Sequence, residues 1–257
     1  MYQEHPTFIQ PDNEEVKVWR YMDFTKLISL IDSRRLFFTR ADKFNDPFEG
    51  SYPKMNVLAR EVLPESITDG MTDEQIRSLV DTMRQSGEQN KNWPRYMAIN
   101  CWHMNEYESA AMWDLYLKSD EGIAIQSTYS KLKKSFICDD EIFIGTVKYI
   151  DYDKDIIDSG NVLTPFVHKR KSFEHEREVR ALCTKWPVGD SYEGMDFSKE
   201  TMEFGAPIKI DLEVLIEKIF VAPNAPGWFV DLVKSAVNRY GYKFEVIHSE
   251  LNDSPLF

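Results

Sequence analysis

Three stretches of this sequence concentrate side chains able to do chemistry. The first, Phe44-Asn45-Asp46-Pro47-Phe48-Glu49-Gly50, sets an amide and two carboxylates among aromatic rings in a turn that Pro47 stiffens. Asn and Asp side chains readily bond their own backbone, so a purely structural turn accounts for these residues. The same residues also make a rigid binding loop, with Asn45 and Asp46 facing a pocket. The second stretch runs from Cys101-Trp102-His103-Met104-Asn105-Glu106-Tyr107-Glu108-Ser109 to Trp113 and Tyr116. Glutamates at a helix start complement its positive end, which capping alone explains, and Trp113 and Tyr116 at i, i+3 suit a core as well as a stacking platform. His103 has no second His or Cys at ligand spacing, so no metal site is read from it. The third is Lys171-Ser172-Phe173-Glu174-His175-Glu176-Arg177-Glu178-Val179-Arg180. If Glu176 opens a strand, Glu176, Glu178 and Arg180 share one face. A charged edge strand is the plain alternative. The apolar continuation Val179 to Cys183 instead makes this an interior strand, where neighbouring carboxylates raise one another's pKa and suit acid–base work or stabilisation of a cation.

These residues need elements to hold them. A polar arm over residues 1–15 leads into a strand from Val16 to Met22. Asp23 then caps a helix whose apolar positions Phe24, Leu27, Ile28 and Ile31 keep the helical period. Arg35 to Thr39 is the next strand, and it delivers the loop Arg40 to Pro53. Thr72-Asp73-Glu74-Gln75 is a capping box, so residues 54–92 form a helical insertion. Strands are predicted at Tyr96 to His103, Gly122 to Ser127, Ile142 to Tyr152, Glu176 to Lys185, Ile208 to Leu212, Lys218 to Ala222 and Tyr242 to His248. Helices are predicted at Tyr107 to Lys118, Thr164 to Glu174 and from Pro226 to about Tyr240. This interleaving predicts one α+β domain over residues 1–257, with a mixed, mainly antiparallel central sheet flanked by helices.

Composition narrows the partners. The 257 residues carry 31 Lys and Arg against 43 Asp and Glu, a net charge of −12, which opposes non-specific attraction to nucleic acid or to an anionic membrane. No apolar run reaches the roughly 18 residues of a spanning helix, and the first residues lack a signal-peptide pattern, so a cytoplasmic protein is expected. Three cysteines, far apart, provide neither a disulfide framework nor a metal knuckle. Neither a Rossmann glycine fingerprint nor a P-loop occurs. Oligomeric state is not fixed by the sequence.

Taken together, Trp19-Arg20-Tyr21, Phe44-Asn45-Asp46-Pro47-Phe48-Glu49, Cys101-Trp102, Trp113 with Tyr116, Gly122-Ile123-Ala124-Ile125 and the run Lys171 to Arg180 resemble a bacterial family known as domain of unknown function family 2971. A more distant resemblance is to the ADP-ribosyltransferase fold. In that fold a first strand carries an Arg or His that holds NAD, a helix follows, and a late strand carries the glutamate needed for transfer, which in the arginine-bearing class often sits in a Glu-x-Glu pair. The resemblance implies an ADP-ribosyltransferase-like sheet, NAD as substrate, Arg20 on its phosphates, Glu178 or Glu176 stabilising the ribosyl cation, and Phe44 or Phe48 against nicotinamide. Of the Ser-Thr-Ser motif of that class only Ser127-Thr128 is matched, which makes Ser127 a candidate cofactor contact. Two other functions fit the same residues. One is a metal-dependent nuclease or hydrolase using Asp46, Glu49, Glu174 and Glu176 with Lys171. The other is a non-catalytic binding module of a bacterial defence system.

Overall fold

The computed structural model describes residues 1–61, 63, 65–117, 120–189 and 194–255. Along the chain these form β1 (Tyr2–Gln3), β2 (Lys17–Asp23), α1 (Phe24–Ser33), β3 (Arg35–Arg40), α2 (Lys54–Leu58), α3 (Glu65–Thr68), α4 (Asp73–Asn90), β4 (Met97–Met104), α5 (Ala110–Tyr116) and β5 (Gly122–Thr128). There follow α6 (Tyr129–Lys134), β6 (Ile142–Thr146), β7 (Lys148–Ile150), β8 (His168–Arg170), β9 (Glu178–Thr184), β10 (Gly205–Lys209), α7 (Leu212–Leu215), β11 (Lys218–Val221), α8 (Gly227–Arg239) and β12 (Glu245–His248). Lys118, the predicted end of the α5 helix, lies outside the described residues, as do residues 62 and 64 of the predicted insertion.

The fold is α+β. Ten strands make one sheet in the order β1-β6-β9-β4-β2-β5-β11-β12, with β3 joining β4 and β10 joining β3; β7 and β8 pair separately. Only the β1–β6 and β11–β12 pairs of the large sheet are parallel. Local chemistry sets the boundaries. Asp23 accepts from the Lys26 N–H at 3.2 Å to start α1, and Arg34, at φ 53°, stops it by donating to the Leu30 carbonyl. Leu27, Leu30 and Ile31 of this helix sit in the main core. Thr72 and Gln75 complete the predicted capping box of α4.

Strand β9 is central: it pairs β4 from Met97↔Thr184 to His103↔Glu178 and β6 from Ile142↔Cys183 to Thr146↔Val179. Val179, Ala181 and Cys183 join the larger core on one face, and Leu182 joins a second core with Phe8, Met97, Ile99 and Phe166 on the other. The arm is more ordered than its polarity predicts. β1 adds an edge strand, Phe8 is buried, and the backbone passes so near Gly145 that a Cβ there would fall 2.8 Å from the Phe8 carbonyl carbon. Among the described residues no helix is long and apolar enough to cross a membrane.

Several predicted elements differ. The run Ile142 to Tyr152 breaks at Val147 into β6 of the large sheet and β7, which pairs β8 separately, and Leu212, the predicted end of a strand, opens α7. The helix expected over Thr164 to Glu174 is instead a short 3-10 turn at Thr164–Val167, the strand β8, and a second 3-10 turn at Lys171–Glu176. Phe166 and Val167 are buried in the second core, with Pro165 in the first turn. β9 also begins at Glu178 rather than Glu176, because Arg177 takes a left-handed conformation at φ 40°.

Candidate active site

The sheet carries a seam. β2 pairs β5 over all seven of its residues but meets β4 only at Val18↔Met104 and Trp19↔His103. β3 takes the same edge of β4 only at Ala98 and Ile99. Between these contacts the edge of β4 from Asn100 to Trp102 has no strand beside it, and side chains fill the role. Asn100 Nδ2 donates to the Phe37 carbonyl at 2.9 Å, and Arg20 Nη1 donates to the Cys101 carbonyl at 2.6 Å. Because Trp19, His103 and Glu178 stand in register across β2, β4 and β9, the Cα atoms of Arg20 and Glu178 are roughly 10 Å apart, about two strand spacings.

Arg20 has no carboxylate partner among the described residues, and Nη1 to Cys101 is its one hydrogen bond there. Burial pulls its guanidinium below the ordinary arginine value, with Cys101 and Tyr116 opposing. Tyr116 ends α5 at the same place. It is 46% exposed, yet burial of its hydroxyl end raises its pKa, with Glu176, Cys101 and Glu178 adding to the rise and Arg20 reducing it. These five residues from four segments therefore act on one another across the seam.

Beneath them lies a buried charge cluster. Arg180, fully buried on β9, donates from Nη1 and Nη2 to Glu49 at 2.6 and 2.8 Å, from Nε to Glu178 at 2.6 Å, and from Nη1 to the Phe166 carbonyl at 2.7 Å. Lys169, on β8, donates to Glu176 and, at 3.2 Å, to Glu178. The left-handed turn at Arg177 lets Glu176 converge on Lys169 although it is not on the strand. The turn is pinned by His103, whose Nδ1 lies 2.6 Å from the Glu176 carbonyl oxygen; burial lowers the His103 pKa, so the neutral ring donates there.

The two carboxylates differ, which their spacing alone did not predict. Burial pushes Glu178 up, but Arg180 and Lys169 outweigh it and bring its pKa down to about 2. Burial raises the Glu176 pKa, with Lys169 opposing and Glu178 adding to the rise. Glu178 is saturated by two cations, whereas Glu176 has Lys169 alone and retains acceptor capacity. Since the folded Glu178 value lies below the unfolded one, its stabilising contribution is present above pH about 4.5 and is lost as pH falls toward about 2. Urea midpoints measured down this range are expected to fall in the parent chain and to fall less steeply in Glu178→Gln.

The aromatic-amide loop is joined to this cluster through charge. Glu49 clamps Arg180, and Asp46 accepts from Arg170 Nη2 at 2.7 Å as well as from the Phe48 N–H at 3.1 Å. Gly50 closes the loop at φ 70°, where a Cβ would overlap the Phe166 ring. Asn45 is exposed, and Phe44 packs against the second core. Phe48, not Asn45 or Asp46, lines the adjacent cavity. Ser127 is buried and donates to the Leu215 carbonyl, tying β5 to α7. Asp46, Glu49 and Glu176 each hold a cation of the protein, and among the described residues no group of three or more His, Cys, Asp or Glu is gathered for a metal ion. Lys169 was missed from sequence, as were the roles of Glu49 and of Arg180, which had been placed on one face with Glu176 and Glu178 but given no partner. An arginine flanked by Val179 and Ala181 in an interior strand was the available signal, since it needs a buried acid.

No protein-family model matches the chain, including that of the family it resembles, and no curated protein matches it. Among solved structures, DarT of Thermus sp. 2.9 in complex with ADP-ribosylated ssDNA aligns with 94% of this chain and 97% of its own at 9% identity and a TM-score of 0.39. The same protein in complex with carba-NAD+ aligns with 92% and 96%, at 9% identity and a TM-score of 0.35.

Proposed function

We propose that this chain binds NAD along the seam between β2 and β4 and breaks its nicotinamide–ribose bond, passing ADP-ribose to an acceptor or to water. The observation that carries this reading is Arg20, which has no acid of its own among the described residues and stands two strands from Glu178. An arginine with unused donors suits a pyrophosphate, which it can grip bidentately. Nicotinamide leaves with the bonding electrons, the ribose carbon becomes cationic, and an oxygen or nitrogen nucleophile then adds to it. A carboxylate held in place beforehand lowers the energy of that cation. Glu176 has the spare acceptor capacity for this role; Glu178, fixed by Arg180 and Lys169, positions it through their shared lysine.

The test is nicotinamide release from NAD by the purified chain, with water, protein and nucleic-acid acceptors offered in turn. Arg20→Ala is expected to weaken NAD binding by roughly tenfold to a hundredfold, the scale of lost charge-assisted hydrogen bonds, as read by titration calorimetry. Release at the buffer rate with every acceptor, or unchanged affinity in Arg20→Ala, removes the transferase reading.

A further inference from the structure

The turn that delivers Glu176 is not one its sequence favours. Arg177 stands at φ 40°, a conformation that glycine takes freely and that any other residue keeps only where its surroundings enforce it. The enforcement is visible bond by bond. His103 holds the Glu176 carbonyl, the Met104 N–H donates to the Arg177 carbonyl at 2.9 Å, and the Val147 N–H donates to the Glu178 carbonyl at 2.8 Å. These three groups come from β4 and from the residue that follows β6.

The Glu178 N–H has no strand partner of this kind. β6 pairs β9 only as far as Thr146↔Val179, so no residue of β6 stands opposite the buried Glu178, and a side chain takes the place. The Tyr149 hydroxyl oxygen accepts from that N–H at 2.8 Å. Tyr149 lies on β7 and is the register partner of Lys169 on β8, so the small sheet presents two groups side by side to one turn. The ammonium meets the carboxylates of Glu176 and Glu178, and the phenol meets the peptide between Arg177 and Glu178. That peptide is thereby clamped at both ends, its carbonyl by Met104 and its N–H by Tyr149.

We propose that Tyr149 is a positioning residue for the ribosyl-cation site: by holding the Glu178 N–H it keeps Arg177 left-handed, and so keeps Glu176 beside Lys169, without itself touching substrate. The inference rests on the NAD reading. It specifies which kinetic constant moves, because a catalytic group misplaced by about 1 Å can lose roughly a hundredfold in rate, while the grip of Arg20 on the dinucleotide is unaltered.

The test is Tyr149→Phe, which removes one oxygen and keeps the ring. In the nicotinamide-release assay kcat is expected to fall about tenfold to a hundredfold, with the KM for NAD within about twofold of the parent value. Loss of a buried hydrogen bond also lowers the melting temperature, so the assay is run where near-ultraviolet circular dichroism shows every variant folded. The decisive arm is rescue. Arg177→Gly relieves the backbone at 177, so in that background Tyr149→Phe is expected to lower kcat by no more than about threefold. Residue 177 is exposed, and a glycine there would not repair a general loosening of the core. A parent-level kcat in Tyr149→Phe, a raised KM in place of the kcat loss, or an equal loss in the Arg177→Gly background overturns the proposal and leaves the NAD reading standing. Release at the buffer rate by the parent chain overturns both.

Discussion

Arg180→Leu is expected to lower the unfolding free energy by about 3–5 kcal/mol, the usual consequence of removing one partner from a buried ion pair. The guanidinium is fully buried and satisfies both oxygens of Glu49, both of Glu178 and the Phe166 carbonyl. Removing it leaves Glu49 with no cation bonded to it, and a charged or newly protonated acid in a closed core is costly either way. Arg180→Lys keeps the charge but not the two-pronged geometry, and it falls between the parent and Arg180→Leu. Glu49→Leu/Arg180→Leu recovers part of the loss, because the isolated carboxylate goes with its partner; a coupling of about 0.5–3 kcal/mol is expected from the cycle. Urea unfolding followed by tryptophan fluorescence measures the parent, Glu49→Leu, Arg180→Leu, the double variant and Arg180→Lys. Purely additive losses would show that the pair is not a unit.

The second large effect is on turnover. Glu176→Gln is expected to slow nicotinamide release by about 10²–10³-fold, the range seen when one preorganised electrostatic group is removed, while the KM for NAD stays close to the parent value. Gln keeps the size and one acceptor, so Lys169 retains a neighbour and the fold persists. Glu178→Gln also slows release, but it lowers stability at the same time because Glu178 joins Lys169 to Arg180. The two variants therefore separate a group that acts on substrate from one that positions it. Parent-level release by Glu176→Gln/Glu178→Gln would exclude both roles.

What could be read in the sequence was local. Asp23 and the spacing of Leu27 and Ile31 located the start of α1 to the residue, and the capping box located α4, because caps and helical period are written within a few positions. The interior character of β9 was visible in Val179 to Cys183. What failed was decided at a distance. The segment Thr164 to Glu174 was expected to be helical, but Phe166 and Val167 are taken up by a core built from β4, β9 and the amino-terminal arm. Asp46 and Glu49 looked like free ligands because their arginines are 124 and 131 positions away, beyond any spacing rule. The left-handed Arg177, which moves Glu176 off the strand, has no local signal, since glycine is the residue that ordinarily marks such a position.

The place of β9 in the chain has a consequence for biosynthesis. It is the partner of both β4 and β6 along their lengths, yet it is among the later strands to be made. A nascent chain that has not yet delivered residue 184 from the ribosome has β4 and β6 without the complete strand that joins them, and before residues 170 and 180 are made Asp46 and Glu49 lack their arginines. Contacts of such long sequence separation form slowly, and unpaired strands awaiting them are exposed to wrong partners. The charged cluster is thus assembled only after most of the polypeptide exists, because the arginines that hold Asp46 and Glu49 lie 124 and 131 positions further on.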